Sequence, residues 1–268
     1  MRGRSPRERR GIHFRVRRLG CGRSPRWELK ADLSIKFECV SKSFGEKKVL
    51  CDFSLELPNY GTVALMGPSG CGKTTVLRIL GGLEKPDSGV VTYSSNDSNA
   101  SAKHTNTVHA SPSHCPQNAE RSLSKAVAYS RLSVVFQEDR LLGSVNAFGN
   151  VAAVLGRKNK QAALDWLERM GLREDSSLLP SEMSGGMRRR LAIARAMAYG
   201  GDLVLLDEPF VGLDGATRER IYPYVFDDGN ESRLTILVTH DRQEAQRHAK
   251  RLILVEGPPL VIVEDVLC

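Results

Sequence analysis

Apolar and polar residues alternate through Leu33, Ile35, Phe37 and Cys39, and this period of two predicts a half-buried edge strand where the folded part begins. The alternation returns over residues 49–57 and stops at Pro58, Asn59, Tyr60 and Gly61, a turn-forming run. Residues 62–66 read as a short apolar strand buried on both faces of a sheet. A glycine-rich loop over 67–72 follows, then a helix over 73–83, a turn over 86–89 and a strand over 90–93. Further on, the pattern predicts a strand over 132–136, a helix over 161–170 closed by Gly171, and a helix over 184–198. Strands over 203–206, 234–238 and 252–255 alternate with helical segments over 216–225 and 242–248. Strands alternating with helices imply an α/β fold on a mainly parallel sheet.

Between 94 and 124 the composition turns to Ser, Asn and His with almost no apolar periodicity, which predicts a polar insert in the form of a surface loop or disordered segment. Its histidines His104, His109 and His114, spaced by five in a polar run, read as solvated rather than as metal ligands. The net charge of +8 is local: residues 1–30 hold ten Arg and one Lys against Glu8 and Glu28, so the rest of the chain is close to neutral. The basicity therefore describes a tail, residues 1–32, expected to be solvated or disordered, with a targeting or nucleic-acid arm as the sharper alternative. That tail has no continuous apolar core of the secretory kind. No apolar run reaches the roughly 18 residues a membrane helix needs, so the chain is not expected to cross a bilayer by itself. The six cysteines include no CxxC pair, which argues against a zinc site or a disulfide framework and suits a cytosolic compartment.

The chemistry is concentrated in a few short motifs. Gly67, Pro68, Ser69, Gly70, Cys71, Gly72, Lys73 and Thr74 fit G-x-x-x-x-G-K-[ST] in full, between an apolar strand and a helix. Glycines there let backbone N–H groups approach phosphates at a helix N-terminus. Lys73 brings a compact charge to the β- and γ-phosphates of ATP, and the Thr74 hydroxyl is a ligand for Mg²⁺. The strand over 203–206 runs into two adjacent acids: Asp207, suited to the Mg²⁺ shell, and Glu208, suited to polarising a water for attack on the γ-phosphate. Gln137 and His240 each end a strand at the same crevice, Gln137 suited to meeting metal or water and His240 to bonding the γ-phosphate. Taken singly, each reads as an ordinary strand end without a role, the histidine as a solvated tip, and both gain force only from the motifs beside them. Ser184, Gly185 and Gly186 open a helix, Ser184 as N-cap and the glycines as bare N–H groups, which makes a second anion site or an ordinary cap.

Taken together, these motifs resemble the ATP-binding subunit of an ATP-binding cassette (ABC) transporter. The stretch from Gly67 to Thr75 looks like the Walker A motif, Gln137 the Q-loop, and Ser184 to Met187 the signature motif. Residues 203–208 look like Walker B, Gly212-Leu213-Asp214 like the D-loop, and His240 like the switch histidine. Phe44 sits where the family stacks an aromatic ring on adenine. The likeness runs from about Leu33 to Val263. It implies an ABC domain over 33–266: a P-loop NTPase core on a mainly parallel sheet, an antiparallel β subdomain, and a helical signature subdomain over about 142–200. The stretches 135–142 and 208–214 look like the importers of nitrate, sulfonate and taurine-type solutes, and no regulatory C-terminal domain of the sugar-importer kind is expected. The signature departs from the commoner pattern with Met183 and Met187, and the short interval from Leu142 to Met183 implies a trimmed helical subdomain.

The resemblance implies a cytoplasmic protein, peripheral on the inner face of the membrane, that binds ATP and Mg²⁺. It implies a homodimer, or a pairing with a second ABC subunit, each ATP lying between Walker A of one copy and Ser184–Gly186 of the other. An integral membrane permease and, for an importer, a solute-binding protein are the further partners; nucleic acid is not expected. The competing expectations are a soluble cassette ATPase acting on nucleic acid or ribosomes, which the basic tail favours, and a non-hydrolysing regulator, which Glu208 and His240 oppose.

Overall fold

Residues 203–207 and 234–238 are buried at every position, which a strand achieves only when both faces of its sheet are covered. The computed structural model describes residues 34–93, 104–107, 131–155, 159–227 and 233–268. The tail over 1–32, and the insert apart from its strand at 104–107, lie outside the described residues. In chain order, β1 (Ser34–Phe44), β2 (Lys47–Pro58) and β3 (Gly61–Met66) lead into α1 (Lys73–Leu80). Then come β4 (Ser88–Tyr93), β5 (His104–Thr107) and β6 (Leu132–Val135), followed by α2 (Ala147–Leu155), α3 (Lys160–Arg169) and α4 (Gly185–Tyr199). The chain closes with β7 (Leu203–Asp207), α5 (Gly215–Phe226), β8 (Leu234–Val238), α6 (Arg242–His248), β9 (Arg251–Glu256) and β10 (Val261–Leu267).

Six strands form the central sheet in the order β10-β9-β3-β8-β7-β6. All neighbours are parallel except β10, which pairs antiparallel with β9. The parallel register aligns the carboxyl ends of β3, β7 and β8, so the loops that follow them meet at one edge. A second sheet, β2-β1-β4-β5, is antiparallel throughout.

Alternate residues of the central strands serve different layers. Val63, Leu65, Leu203, Leu205, Ile236 and Val238 join α1 and the antiparallel sheet in one core. Val204, Leu206 and Leu237 point the other way, into a core built with α2, α3, α4 and α5. Each fully buried Leu, Ile or Val contributes about 1.5–3 kcal/mol, so both faces hold the sheet in place. The parallel core, the antiparallel subdomain and the helices around the signature stretch are those the resemblance implied.

Several elements depart from the sequence expectation. The strand read as an edge, β1, is internal, with β2 on one side and β4 on the other. Alternation reports one buried face, and an internal strand of a one-sided sheet shows the same pattern. Its alternation also breaks: the register slips between Phe37 and Val40, leaving Cys39 exposed at φ 50°. The first helix is shorter than expected, because Gly81 caps it and Gly82 follows at φ 66°. Inside the polar insert, residues 104–107 form a strand paired with β4. Between Leu142 and Met183 the expected helix, α3, is joined by α2, and both pack on α4.

Gly89 marks the tightest point between β1 and β4. It has φ +86°, and a Cβ there would lie 2.4 Å from the Cys39 carbonyl oxygen. The three nearest atoms are all backbone of β1, at Cys39 and Val40, and none is a flexible side chain that could yield. Gly89→Ala is expected to lower unfolding stability by about 1–3 kcal/mol, as overpacking and positive-φ strain both act. Urea denaturation of the two proteins measures this, and an unchanged midpoint would remove the close approach as the reason for glycine.

Candidate nucleotide site

The loop after β3 is shaped by two glycines. A Cβ on Gly67 would lie 2.2 Å from the Val255 carbonyl oxygen, so the loop rests directly on β9. Gly72 caps α1 from the left-handed region, φ 119°, a conformation that L side chains strongly disfavour. Pro68, Ser69 and Gly70 are left exposed at the loop's outer rim, while Cys71 is fully buried. Lys73 is buried as well, and its ammonium donates to the carbonyls of Gly67 and Pro68, each at 2.8 Å. The loop is thus drawn around its own lysine, with Thr74 and Thr75 half-buried in the first turn behind it.

Asp207 ends β7 at 5% exposure. Burial pushes its carboxyl up from the usual carboxylate range, opposed by the Thr74 hydroxyl, which donates to Oδ2 at 2.8 Å. The next residue, Glu208, has φ 50°, uncommon for a residue with a side chain. Its N–H donates to the Val238 carbonyl at 2.9 Å, which stitches the turn to β8. The Glu208 carboxylate then lies 3.8 Å from His240 Nδ1, outside hydrogen-bond distance but within ion-pair reach.

These groups share an open cleft of about 240 Å³. Phe44, Ser69, Gly70 and the stretch from Gly72 to Thr75 line it together with Gln137, Asp207 and Glu208. Phe44 is 45% exposed at the end of β1, with the Lys42 ammonium 5.2 Å from its ring centre. Glu208 also lines a second, smaller pocket of about 20 Å³ together with His240, room enough for one water molecule.

The remaining sequence candidates lie elsewhere. Ser184, Gly185, Gly186 and Asp214 are not among the walls of the cleft. Ser184 caps α4 and accepts from Met187 N at 3.2 Å. Asp214 caps α5, and its carboxyl is held below the usual range by the backbone N–H and the hydroxyl of Thr217. Sequence reading missed the cleft walls Lys47 and Val49, which belong to no motif. It also missed Arg189, whose guanidinium binds the main chain at Gln137. Among the described residues no cluster of His, Cys, Asp and Glu has metal-holding geometry. The oxygen set around the cleft (the Thr74 hydroxyl, the Asp207 carboxylate and the Gln137 amide) is nevertheless of the hard type that suits Mg²⁺.

Behind His240 lies a buried polar contact that the sequence did not announce. Glu244 is 6% exposed and accepts from the Tyr222 hydroxyl at 2.9 Å. Burial raises its carboxyl, opposed by hydrogen bonds from Thr239 and Tyr222, and pushes the Tyr222 hydroxyl up too. Glu244 forms one wall of the small pocket shared by Glu208 and His240.

An ABC transporter family model matches residues 50–211. The chain is 34% identical over 237 residues to the aliphatic sulfonates import ATP-binding protein SsuB 1 of Paraburkholderia xenovorans, covering 88% of this chain and 61% of that protein. It is 35% identical over 242 residues to the sulfate/thiosulfate import ATP-binding protein CysA 1 of Chromobacterium violaceum, covering 83% and 59%. The chain therefore spans less than two thirds of the length of these relatives. Among solved structures it resembles a dimeric ATP-binding cassette in a post-hydrolysis state bound to ADP and Pi. That match has a TM-score of 0.65 at 26% identity and covers 86% of this chain and 99% of the other. A dimeric bacterial ABC transporter cassette matches similarly, with a TM-score of 0.64 at 27% identity over 83% and 94% of the two chains.

The raised carboxyl of Glu244 carries a pH signature. Its folded-state value lies above that of the unfolded chain, so folding favours the protonated form; this stabilisation is full below the unfolded value and lost as pH rises through the folded one. Glu244→Gln keeps an acceptor for Tyr222 without the charge. Relative to wild type it is expected to gain stability as pH rises above the ordinary carboxylate range. Urea midpoints from that range upward test this, and a difference independent of pH would contradict it.

Proposed function

The chain belongs to the ABC transporter ATP-binding family, and from that premise we propose that it binds and hydrolyses ATP to energise solute import through a separate membrane permease. The observation that carries the reading is the meeting of the phosphate loop, Asp207, Glu208 and Gln137 around one cleft. The relatives' names, sulfonate and sulfate/thiosulfate import proteins, favour an oxyanion-bearing solute. No helix among the described residues is long and apolar enough to cross a membrane.

In the proposed mechanism Phe44 stacks on adenine, supported beneath by the Lys42 cation. The N–H groups from Gly70 to Thr75 and the Lys73 ammonium cradle the phosphates. Thr74, Asp207 and Gln137 are the residues that would hold Mg²⁺, which supplies charge neutralisation at the β- and γ-phosphates. Glu208 takes the proton of the attacking water, and His240, 3.8 Å from the Glu208 carboxylate, steadies the γ-phosphate. Exposed Ser184 and Gly185, with Gly186, close the site of a second copy head to tail, and Asp214 lies at that seam. The dimeric state of both structural neighbours supports this arrangement. Closure and reopening then drive a permease on the inner face of the membrane, joined for import by a solute-binding protein.

Glu208→Gln keeps the shape of the side chain and removes the proton acceptor. Turnover is expected to fall by about 10²–10⁴-fold while ATP still binds. The variant is expected to elute as an ATP-dependent dimer in size-exclusion chromatography with light scattering. Near wild-type hydrolysis would overturn the role given to Glu208. Lys73→Ala is expected to lose nucleotide binding or turnover, read by fluorescent-ATP titration beside the ATPase rate; unchanged ATP kinetics would remove the phosphate-loop assignment.

A further inference from the structure

Arg189 sits one turn into α4, beyond the bare N-terminus formed by Ser184, Gly185 and Gly186, and is 7% exposed. A buried guanidinium persists only where its donors are taken up. Here Nη1 donates to the Phe136 carbonyl at 2.6 Å, Nη2 donates to the Gln137 carbonyl at 2.7 Å, and Asp139 Oδ1 stands 3.4 Å from Nη1. A planar fork on two successive carbonyls fixes the orientation of the main chain on either side of Gln137 more firmly than a single donor would. The same helix grips the segment again further on: Arg195 Nη2 donates to the Arg140 carbonyl at 2.8 Å. The turn carrying Gln137 is therefore hung from α4, although β6 and α4 are separated in sequence by α2 and α3.

We propose that Arg189 is a positioning residue that couples the two nucleotide sites of a dimer. α4 presents Ser184–Gly186 to the nucleotide of a second copy, and the Arg189 fork carries any displacement of α4 to Gln137 in the chain's own cleft. The proposal rests on the dimeric ATPase reading above. It assigns a role in transmission rather than in chemistry, since Arg189 reaches the cleft only through the main chain of Gln137.

The test uses the full chain and three variants: Arg189→Ala, Gln137→Ala and the double substitution. Arg189→Ala is expected to raise the Mg²⁺ concentration for half-maximal ATPase by about 10–100-fold, as loss of a supporting contact typically does. Its Hill coefficient for ATP is expected to fall towards a non-cooperative value, while the ADP affinity of the folded protein stays as in wild type. The double variant is expected to be no worse than Gln137→Ala, because both remove the same link. A merely structural arginine would lower the folded fraction and leave the Hill coefficient and Mg²⁺ requirement per folded site untouched, and that result overturns the proposal. So does a double variant whose losses simply multiply. Should Arg189→Ala fail to fold, Arg189→Lys keeps the buried charge with a point donor that cannot bridge both carbonyls. It is then expected to show the same two changes in weaker form, and wild-type cooperativity in it overturns the proposal equally. Wild-type kinetics in Gln137→Ala would instead strike at the role given to Gln137 itself, which separates failure of the underlying reading from failure of the coupling.

Discussion

A carboxylate at the end of an otherwise apolar strand is the constraint on which the cleft depends. Asp207 closes a strand buried at every residue, and its burial works against the ionised form. What makes the position tenable is the Thr74 hydroxyl, reaching across 133 residues of sequence to donate a hydrogen bond. That one bond fixes the first turn of α1 against the end of β7, and so places the phosphate loop opposite the acids. A cation held by the same two side chains would further favour the ionised form, because an opposite charge nearby lowers a carboxyl's pKa. The parallel register of β3, β8 and β7 is what lets both partners arrive at the same edge of the sheet.

Around that bond the backbone is held in conformations chosen for position rather than ease. Gly67 and Gly72 permit contacts with Val255 and Val49 that a side chain would forbid. Glu208 has no such freedom, and a left-handed non-glycine residue costs roughly 1–2 kcal/mol. Its N–H bond to the Val238 carbonyl holds it there, and the outcome is a carboxylate that faces both the large cleft and the small pocket with His240. In the proposed mechanism this strain preorganises Glu208 for its role.

The parts legible in the sequence are those whose physics is local or periodic. The buried strands β3, β7 and β8 showed themselves as apolar runs, and the phosphate loop as glycines at fixed spacing. Gly171, read as the close of its helix, follows it at positive φ. What escaped was decided by distant partners. β1 looked like an edge strand because alternation records which face is buried and says nothing about how many neighbours a strand has. α2 was missed because its fully buried Asn150 reads as a loop residue, although its amide is consumed by the carbonyls of Leu142, Val145 and Asn146. β10 was missed because only Val266 along it is buried, as suits the outermost strand. Arg189 could not be read at all: an arginine satisfied by main-chain carbonyls more than fifty residues away leaves no pattern.

The glycines of the signature stretch complete the logic of the site. At some glycines a cause is visible, a carbonyl at Gly67 and Gly89 and a positive φ at Gly72, whereas Gly143 and Gly215 show neither a close neighbour nor a positive φ. At Gly185 an added Cβ would meet nothing nearer than Arg188 at 3.9 Å, and at Gly186 only Leu213 at 3.6 Å and the Gly212 carbonyl at 3.9 Å. Packing within one chain gives no reason for glycine at either position, and glycine costs about 1 kcal/mol relative to alanine inside a helix. In the proposed dimer a reason lies outside the chain, in something that approaches the start of α4 too closely for a Cβ. A nucleotide held on the phosphate loop of a second copy meets that requirement. On this view the cleft around Asp207 and the bare end of α4 are two halves of one device, and Arg189 is the point in each chain where the halves touch.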